Sequence, residues 1–202
     1  MKLPTLLVSL PLLFLAFSQQ TSASSYPSFT PIKPLYHLRT YTKLHSHTNP
    51  HSDHRFNGLY LHASPTGANP DNHYALFTSN ISLAAIGFLN STNSIEGFDL
   101  NKNQPYSFSF QMQPDAGWSE VDINAGLGSL QGVEFADMGK AGKALVLSNA
   151  SKMGSIWGGW IVCDWWHNAP QLFWRYSDKY KPGPYPAPRG CADVDLIQVL
   201  LS

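Results

Sequence analysis

Residues 106–112 read Tyr-Ser-Phe-Ser-Phe-Gln-Met, and the alternation of apolar and polar side chains in this stretch decides the fold class. Successive side chains of a β-strand point to opposite faces, so the rings share one face and the hydroxyls share the other. This arrangement is typical of an antiparallel strand that packs one face on a core and exposes the other to water. The stretch therefore predicts a half-solvated antiparallel strand.

Runs of β-favouring residues recur on both sides of this stretch, separated by Gly, Pro, Asn and Asp. Residues 82–89 would suit a short helix, but Gly87 and the shortness of the segment weigh against one. Many short strands at this spacing predict an all-β, single-domain antiparallel β-sandwich, with a closed β-barrel or a trefoil-like barrel as the alternative. The predicted strands are 35–43, 58–63, 74–78, 84–89, 95–100, 106–112, 119–124, 130–135, 144–147, 159–163, 171–176 and 192–200.

Residues 1–18 have the layout of a secretory signal peptide. Lys2 supplies the positive start, an apolar run follows, and small residues allow cleavage after Ser18 or Ala23. The apolar run is about 15 residues long, short of the roughly 20 that cross a bilayer. Residues 19–34 are rich in Ser, Thr and Pro and are expected to be a flexible lead-in to an all-β domain over 35–202. We therefore expect a secreted, extracellular protein with no membrane partner after cleavage.

The charge content is low: 13% of the residues are charged and the formal net charge is zero, against about 25% charged residues in a typical soluble protein. A neutral chain lacks the basic surface that binds nucleic acid or anionic lipid. Hydroxyl and amide side chains take the place of the missing charges. This composition favours a neutral polysaccharide or a glycoprotein as the partner. We also expect a monomer without a cofactor.

Three N-glycosylation sequons begin at Asn80, Asn90 and Asn149. A glycan can attach only at an accessible turn or loop of a protein that passes through a secretory pathway. Together with the signal peptide, the sequons predict a glycoprotein with these three asparagines at its surface.

Residues 157–191 hold five of the six tryptophans and both cysteines of the chain. An isolated pair of cysteines in an exported protein usually forms a disulfide. Cys163 and Cys191 are therefore predicted to be bonded, which would pin the proline-rich segment between them to the tryptophan-rich strand.

The same stretch contains the best candidate for a binding site. In a strand, Trp165 and Trp166 point to opposite faces, so at most one of them joins Trp174 in a surface platform. We predict a shallow neutral-glycan site formed by Trp166, His167 and Trp174, with Asp164 as a polar edge. The alternative, left open at this point, is that the indoles pack into the core beside the cysteine.

Residues 45–54 contain four histidines and an aspartate, side chains that can bind zinc or copper. Their spacing matches no closed metal site, and Pro50 among polar neighbours is typical of an exposed loop. We therefore expect a polar loop here and no metal site.

The sequence contains no complete set of catalytic residues. Asp122, Glu134 and Asp164 are carboxylates that a glycoside hydrolase could use in pairs. However, Asp164 and His167 can also satisfy backbone groups at a turn. The chain has no Gly-x-Ser-x-Gly elbow and no phosphate-binding loop, which favours a non-catalytic protein.

Several segments resemble an uncharacterised family of small secreted proteins from filamentous fungi, over residues 35–200. The late layout of tryptophan and cysteine is also similar to that of small fungal cell-wall proteins involved in spore development. The resemblance implies an exported protein without an established activity, acting at the wall or outside it as a binding or structural protein. A secreted interaction protein that acts on a host or competitor, and a carbohydrate-active hydrolase, are the alternatives. The segments that carry the resemblance are 36–40, 56–61, 66–68, 87–90, 122–126, 159–167, 170–174 and 191–196.

Overall fold

The computed structural model shows an all-β protein, as the sequence predicts. It describes residues 31, 33–43, 54–90, 94–100, 104–110, 117–126, 130–148, 156–165, 168–177 and 183–202. Within these ranges there are twelve strands and short 3-10 turns but no α-helix, and each predicted strand overlaps an observed one. The strands are β1 Tyr36–Thr42, β2 Tyr60–Pro65, β3 Asn72–Thr78, β4 Ile86–Asn90, β5 Ile95–Asp99, β6 Tyr106–Phe110, β7 Trp118–Ala125, β8 Val133–Asp137, β9 Lys143–Leu147, β10 Trp157–Asp164, β11 Pro170–Tyr176 and β12 Cys191–Leu200.

The described strands close into an antiparallel barrel, so the predicted sandwich is wrong and the barrel alternative is the correct one. Nine strands follow one another around the ring in the order β1-β4-β5-β6-β7-β3-β11-β10-β12. The ring closes because β1 and β12 pair over seven positions, from Tyr36 opposite Leu200 to Thr42 opposite Val194. Alternation in the sequence tells which side chains share a face, but it does not tell which distant strands pair.

Three strands extend the barrel. β2 forms a hairpin with β3 over six residue pairs and meets β1 where Tyr60 lies opposite Arg39. β8 and β9 form a second hairpin, which pairs with β12 where Ala144 lies opposite Ile197. The connection from β3 to β4 contains the 3-10 turn Ile81–Leu83.

The core is built from the inward faces of these strands. Along β11, Leu172, Trp174 and Tyr176 enter one large hydrophobic cluster, whereas Phe173 points the other way into a smaller cluster. Trp160 also enters the large cluster, and its indole Nε1 donates a hydrogen bond to the Leu145 carbonyl at 2.8 Å. Burying one large apolar side chain contributes about 1.5–3 kcal/mol, so the aromatic interior is a main source of stability.

The structure does not describe several predicted features. The signal peptide, nearly all of the lead-in and most of the histidine-rich segment lie outside the described residues, as do Asn149, Trp166 and His167.

Candidate functional site

The predicted disulfide is confirmed. Cys163 and Cys191 lie opposite each other on β10 and β12 and are bonded. Both cysteines face away from the barrel interior, where they form a small buried cluster with Ile161 and Phe173. The proline-rich segment reaches this cluster through Ala187, which packs against it. The disulfide therefore supports the outer face of the barrel.

Two tryptophan rings pack against Phe173 of this cluster, and together the three rings form what we call the outer aromatic patch: Trp118, Trp165 and Phe173. Each ring meets the other two edge to face, with ring centroids 5.4 Å apart for Trp118–Trp165 and Trp118–Phe173 and 5.5 Å apart for Trp165–Phe173. Trp165 nevertheless remains 50% exposed. Edge-to-face contacts of this kind hold a ring in place while leaving part of its surface open.

The local backbone explains why Trp165 lies outside. Side-chain alternation places residues 161, 163 and 165 on the same face, and the first two belong to the outer cluster. The Trp165 N–H donates to the Ala169 carbonyl at 3.2 Å, and the Asn168 N–H donates to the Trp165 carbonyl at 3.4 Å. Asn168 has a φ of +58°, a left-handed conformation that asparagine tolerates better than most residues.

An ion pair lies at the end of β10, next to Trp165 in the sequence. The Arg55 guanidinium binds the Asp164 carboxylate at 2.5 Å and contacts the Gly190 carbonyl at 3.4 Å. The same guanidinium lies 4.6 Å from the centre of the Phe56 ring. Both charged side chains remain partly exposed. By the same alternation, the Asp164 side chain points to the opposite side of the strand from Cys163 and Trp165.

This patch is not the platform that the sequence predicts. Trp174 has no exposed surface, because Phe110 stacks on it at 4.8 Å and Trp160 meets its edge at 5.7 Å. Its side chain cannot contribute to a surface platform. Trp166 and His167 lie outside the described residues, and Asp164 is next to the exposed Trp165 in sequence but alternates to the other face of the strand.

Sequence reasoning missed Trp118, although the sequence contains the information needed to find it. In β7, Trp118 alternates in phase with Glu120 and Asp122, while Val121 and Ile123 enter the core. An indole that shares a face with two carboxylates points out of the barrel. Trp118 is therefore a surface residue that the tryptophan count alone could not distinguish from the others.

The candidate catalytic carboxylates are not gathered into one cleft. Asp122 lies on β7, whereas Glu134 is exposed on β8, which joins the sheet beyond β9. The carboxylate nearest to Asp122 along its own face is Glu120, which accepts a hydrogen bond from the Gln171 side chain. Burial and the nearby Glu120 raise the pKa of Asp122 to about 6.

The sequons differ in how far the structure describes them. Asn80 is exposed at the start of the 3-10 turn Ile81–Leu83, and its Oδ1 accepts hydrogen bonds from the Ser82 N–H and hydroxyl at 3.0 and 2.8 Å. Asn90 is half-buried at the end of β4.

The described residues contain neither a candidate metal site nor a candidate membrane-spanning helix. No group of three or more His, Cys, Asp or Glu side chains in these ranges could hold a metal ion. The same part of the chain contains no helix long and apolar enough to cross a membrane.

Comparison with known proteins gives a family but no activity. No curated protein and no solved structure matches the chain. A family match covers residues 35–200, which includes every strand of the barrel. The chain belongs to the family described as Domain of unknown function (DUF7907).

Proposed function

We propose that this protein is an exported, non-catalytic binding protein of a filamentous fungus, which engages neutral glycans of the cell wall or its surroundings through the outer aromatic patch. The observation that carries the proposal is the half-exposed Trp165 indole, held edge to face by Trp118 and Phe173 beside a disulfide. A ring fixed in this way loses little conformational freedom when a ligand binds.

The chemistry of the patch suits a sugar. Indole faces pack well against the C–H faces of sugar rings, and an aromatic side chain offers a large contact area. The formal net charge of zero also favours a neutral ligand over a charged polymer.

Three observations support export. Residues 1–18 have the layout of a signal peptide. Disulfides such as Cys163–Cys191 persist in oxidising compartments and are rare in the cytosol. Asn80 is exposed, as an N-glycosylation site must be.

The test is retention of the secreted protein on insoluble chitin and β-glucan. We expect Trp165→Ala to weaken binding about tenfold or more, the effect of removing a central aromatic anchor. Tyr41→Ala is the matched control, because Tyr41 is an aromatic residue of similar exposure, 49%, on β1. It should bind as the wild type does.

The proposal fails if the folded wild-type protein is retained no better than Trp165→Ala on either polymer. In that case the patch would be assigned to a protein partner, which is the second class of function that the sequence allows.

A further inference from the structure

A second site lies away from the outer aromatic patch. An open cavity of about 540 Å³ is lined by residues 81–86 together with residues of β1, β2, β3 and β5. We call it the histidine cavity, because His37, His62 and His73 line it. No residue of the outer aromatic patch contributes to its walls.

The backbone fixes the hydrogen-bonding state of two of these histidines. Nδ1 of His37 lies 2.9 Å from the Ala85 carbonyl, and Nδ1 of His62 lies 2.9 Å from the Leu83 carbonyl. A carbonyl oxygen can only accept a hydrogen bond, so each Nδ1 must carry the proton and donate it. A neutral imidazole with its proton on Nδ1 has a lone pair on Nε2. In its neutral state each ring therefore has a hydrogen-bond acceptor at Nε2.

The remaining walls limit what the cavity can hold. Leu83, Ile86 and Leu100 give it an apolar side, which fits a hydrocarbon body better than a polyol. Asp99 also lines the cavity, and its carboxylate disfavours an anionic ligand. The volume lies within the range of about 300–1,000 Å³ that is usual for small-molecule sites.

We infer that the histidine cavity binds a small, uncharged hydroxylated molecule with an apolar body, of the phenol type. The ligand hydroxyl donates to Nε2 of His62 or His37, and the apolar body packs against Leu83, Ile86 and Leu100. This inference is independent of the proposed glycan site, because the two sites share no residue.

The test uses 4-ethylphenol and ethylbenzene, which differ only in the hydroxyl group. Long-range ¹H–¹⁵N NMR of the ¹⁵N-labelled secreted protein at neutral pH reports on each histidine nitrogen. We expect 4-ethylphenol to shift the Nε2 resonances of His62 and His37 saturably and to bind about fivefold more tightly than ethylbenzene, the usual effect of one net hydrogen bond. Equal affinities, or no saturable binding of 4-ethylphenol, would overturn the inference.

Asparagine substitutions separate the two ring nitrogens. His62→Asn can keep a donor near the Leu83 carbonyl, since the asparagine amide matches the position of Nδ1, but it removes Nε2. We expect about fivefold weaker binding of 4-ethylphenol by His62→Asn and by His37→Asn. His54→Asn is the control, because His54 is exposed and does not line the cavity, and it should bind as the wild type does.

The remaining outcomes also decide the question. If His37→Asn does not fold, because His37 is buried, His62→Asn decides alone, since His62 lies at the partly exposed side of the cavity. Wild-type affinity in His62→Asn would refute the role of Nε2. Saturable binding of methyl glucoside at the histidines in place of 4-ethylphenol would refute the apolar ligand class.

Discussion

At the scale of single residues, Glu96 is the side chain whose environment is most unusual for its chemistry. It is 1% exposed inside the barrel, and the Tyr36 hydroxyl donates to its Oε2 at 2.6 Å. Burial raises the pKa of Glu96 well above its ordinary value, although the hydrogen bond from Tyr36 acts in the opposite direction. Among the described residues, its other oxygen, Oε1, is buried without a hydrogen-bond partner. An ionised carboxylate in this position is costly, so the folded protein favours the protonated form.

This gives a pH dependence with a definite sign. Because the folded-state pKa of Glu96 is raised, its contribution to stability is fully present below the ordinary glutamate pKa and is lost as the pH rises through the folded-state value. Asp122, with its pKa raised to about 6, acts in the same direction between its ordinary value and about pH 6. We expect the wild type to be more stable near pH 5 than near pH 8, measured by urea unfolding.

Glutamine imitates the protonated carboxyl group. Glu96→Gln should therefore raise the free energy of unfolding near pH 8 by about 1–3 kcal/mol and flatten the pH dependence. Glu134→Gln is the control, because Glu134 is exposed on β8, and it should leave the profile unchanged. A loss of stability in Glu96→Gln at both pH values would contradict this account.

Trp165 and Trp174 show what the sequence can and cannot reveal about a site. Alternation correctly groups the residues that share a face, but it does not say which face meets water. Cys163 and Trp165 belong to the outer face, while Trp160 and Trp174 belong to the core. The decision depends on the neighbouring strands, which cover Trp174 with Phe110. The concentration of tryptophans therefore does not tell which indole is exposed, since Trp165 is half-exposed and Trp174 is buried.

At the scale of elements, the hairpin of β4 and β5 depends on one glycine. Phe88 and Gly97 lie opposite each other, and the Phe88 ring covers Gly97 so closely that a Cβ atom there would lie 2.2 Å from the ring. Both residues are buried, so the ring has little room to move away. The missing side chain of Gly97 is part of the packing of this hairpin.

We expect Gly97→Ala to lower the free energy of unfolding by about 1–3 kcal/mol, the usual cost of overpacking a core. A smaller residue opposite should relieve the clash, so Phe88→Leu combined with Gly97→Ala should be more stable than the sum of the two single effects implies. Urea unfolding of the wild type, both single variants and the double variant measures this coupling. Strict additivity would show that the ring does not set the requirement for glycine.

The elements are also where sequence reasoning works best. Each predicted strand overlaps an observed one, because apolar alternation and the Gly, Pro and Asn boundaries are local properties of the chain. The sandwich prediction failed because pairing is not local. Tyr36 and Leu200 are partners across the barrel seam although nearly the whole domain separates them in sequence.

At the scale of the whole molecule, that seam closes the barrel with the first and last strands. β1 and β12 pair along the full length of β1, and the Leu201 N–H donates to the Leu35 carbonyl at 3.0 Å. The two ends of the domain therefore lie side by side. Closure also removes the exposed strand edges that an open sheet of this size would present at β1 and β12.

Adjacent ends make a circular permutation feasible. We expect a chain in which a glycine-serine linker of about six residues joins Ser202 to Leu35, with new ends between Lys140 and Ala141, to fold into the same barrel. The new ends lie in the turn between β8 and β9, where residues 137–140 are exposed. Expressed behind a heterologous signal peptide, this permutant should unfold cooperatively with a Tm lowered by less than about 10 °C.

A matched permutant opened between Leu196 and Ile197, which are buried in β12, should not fold, because the cut breaks the seam itself. Similar stability of the two permutants would mean that the pairing of β1 with β12 does not hold the barrel closed, whereas failure of the first would show that residues 35–202 need the preceding chain to fold.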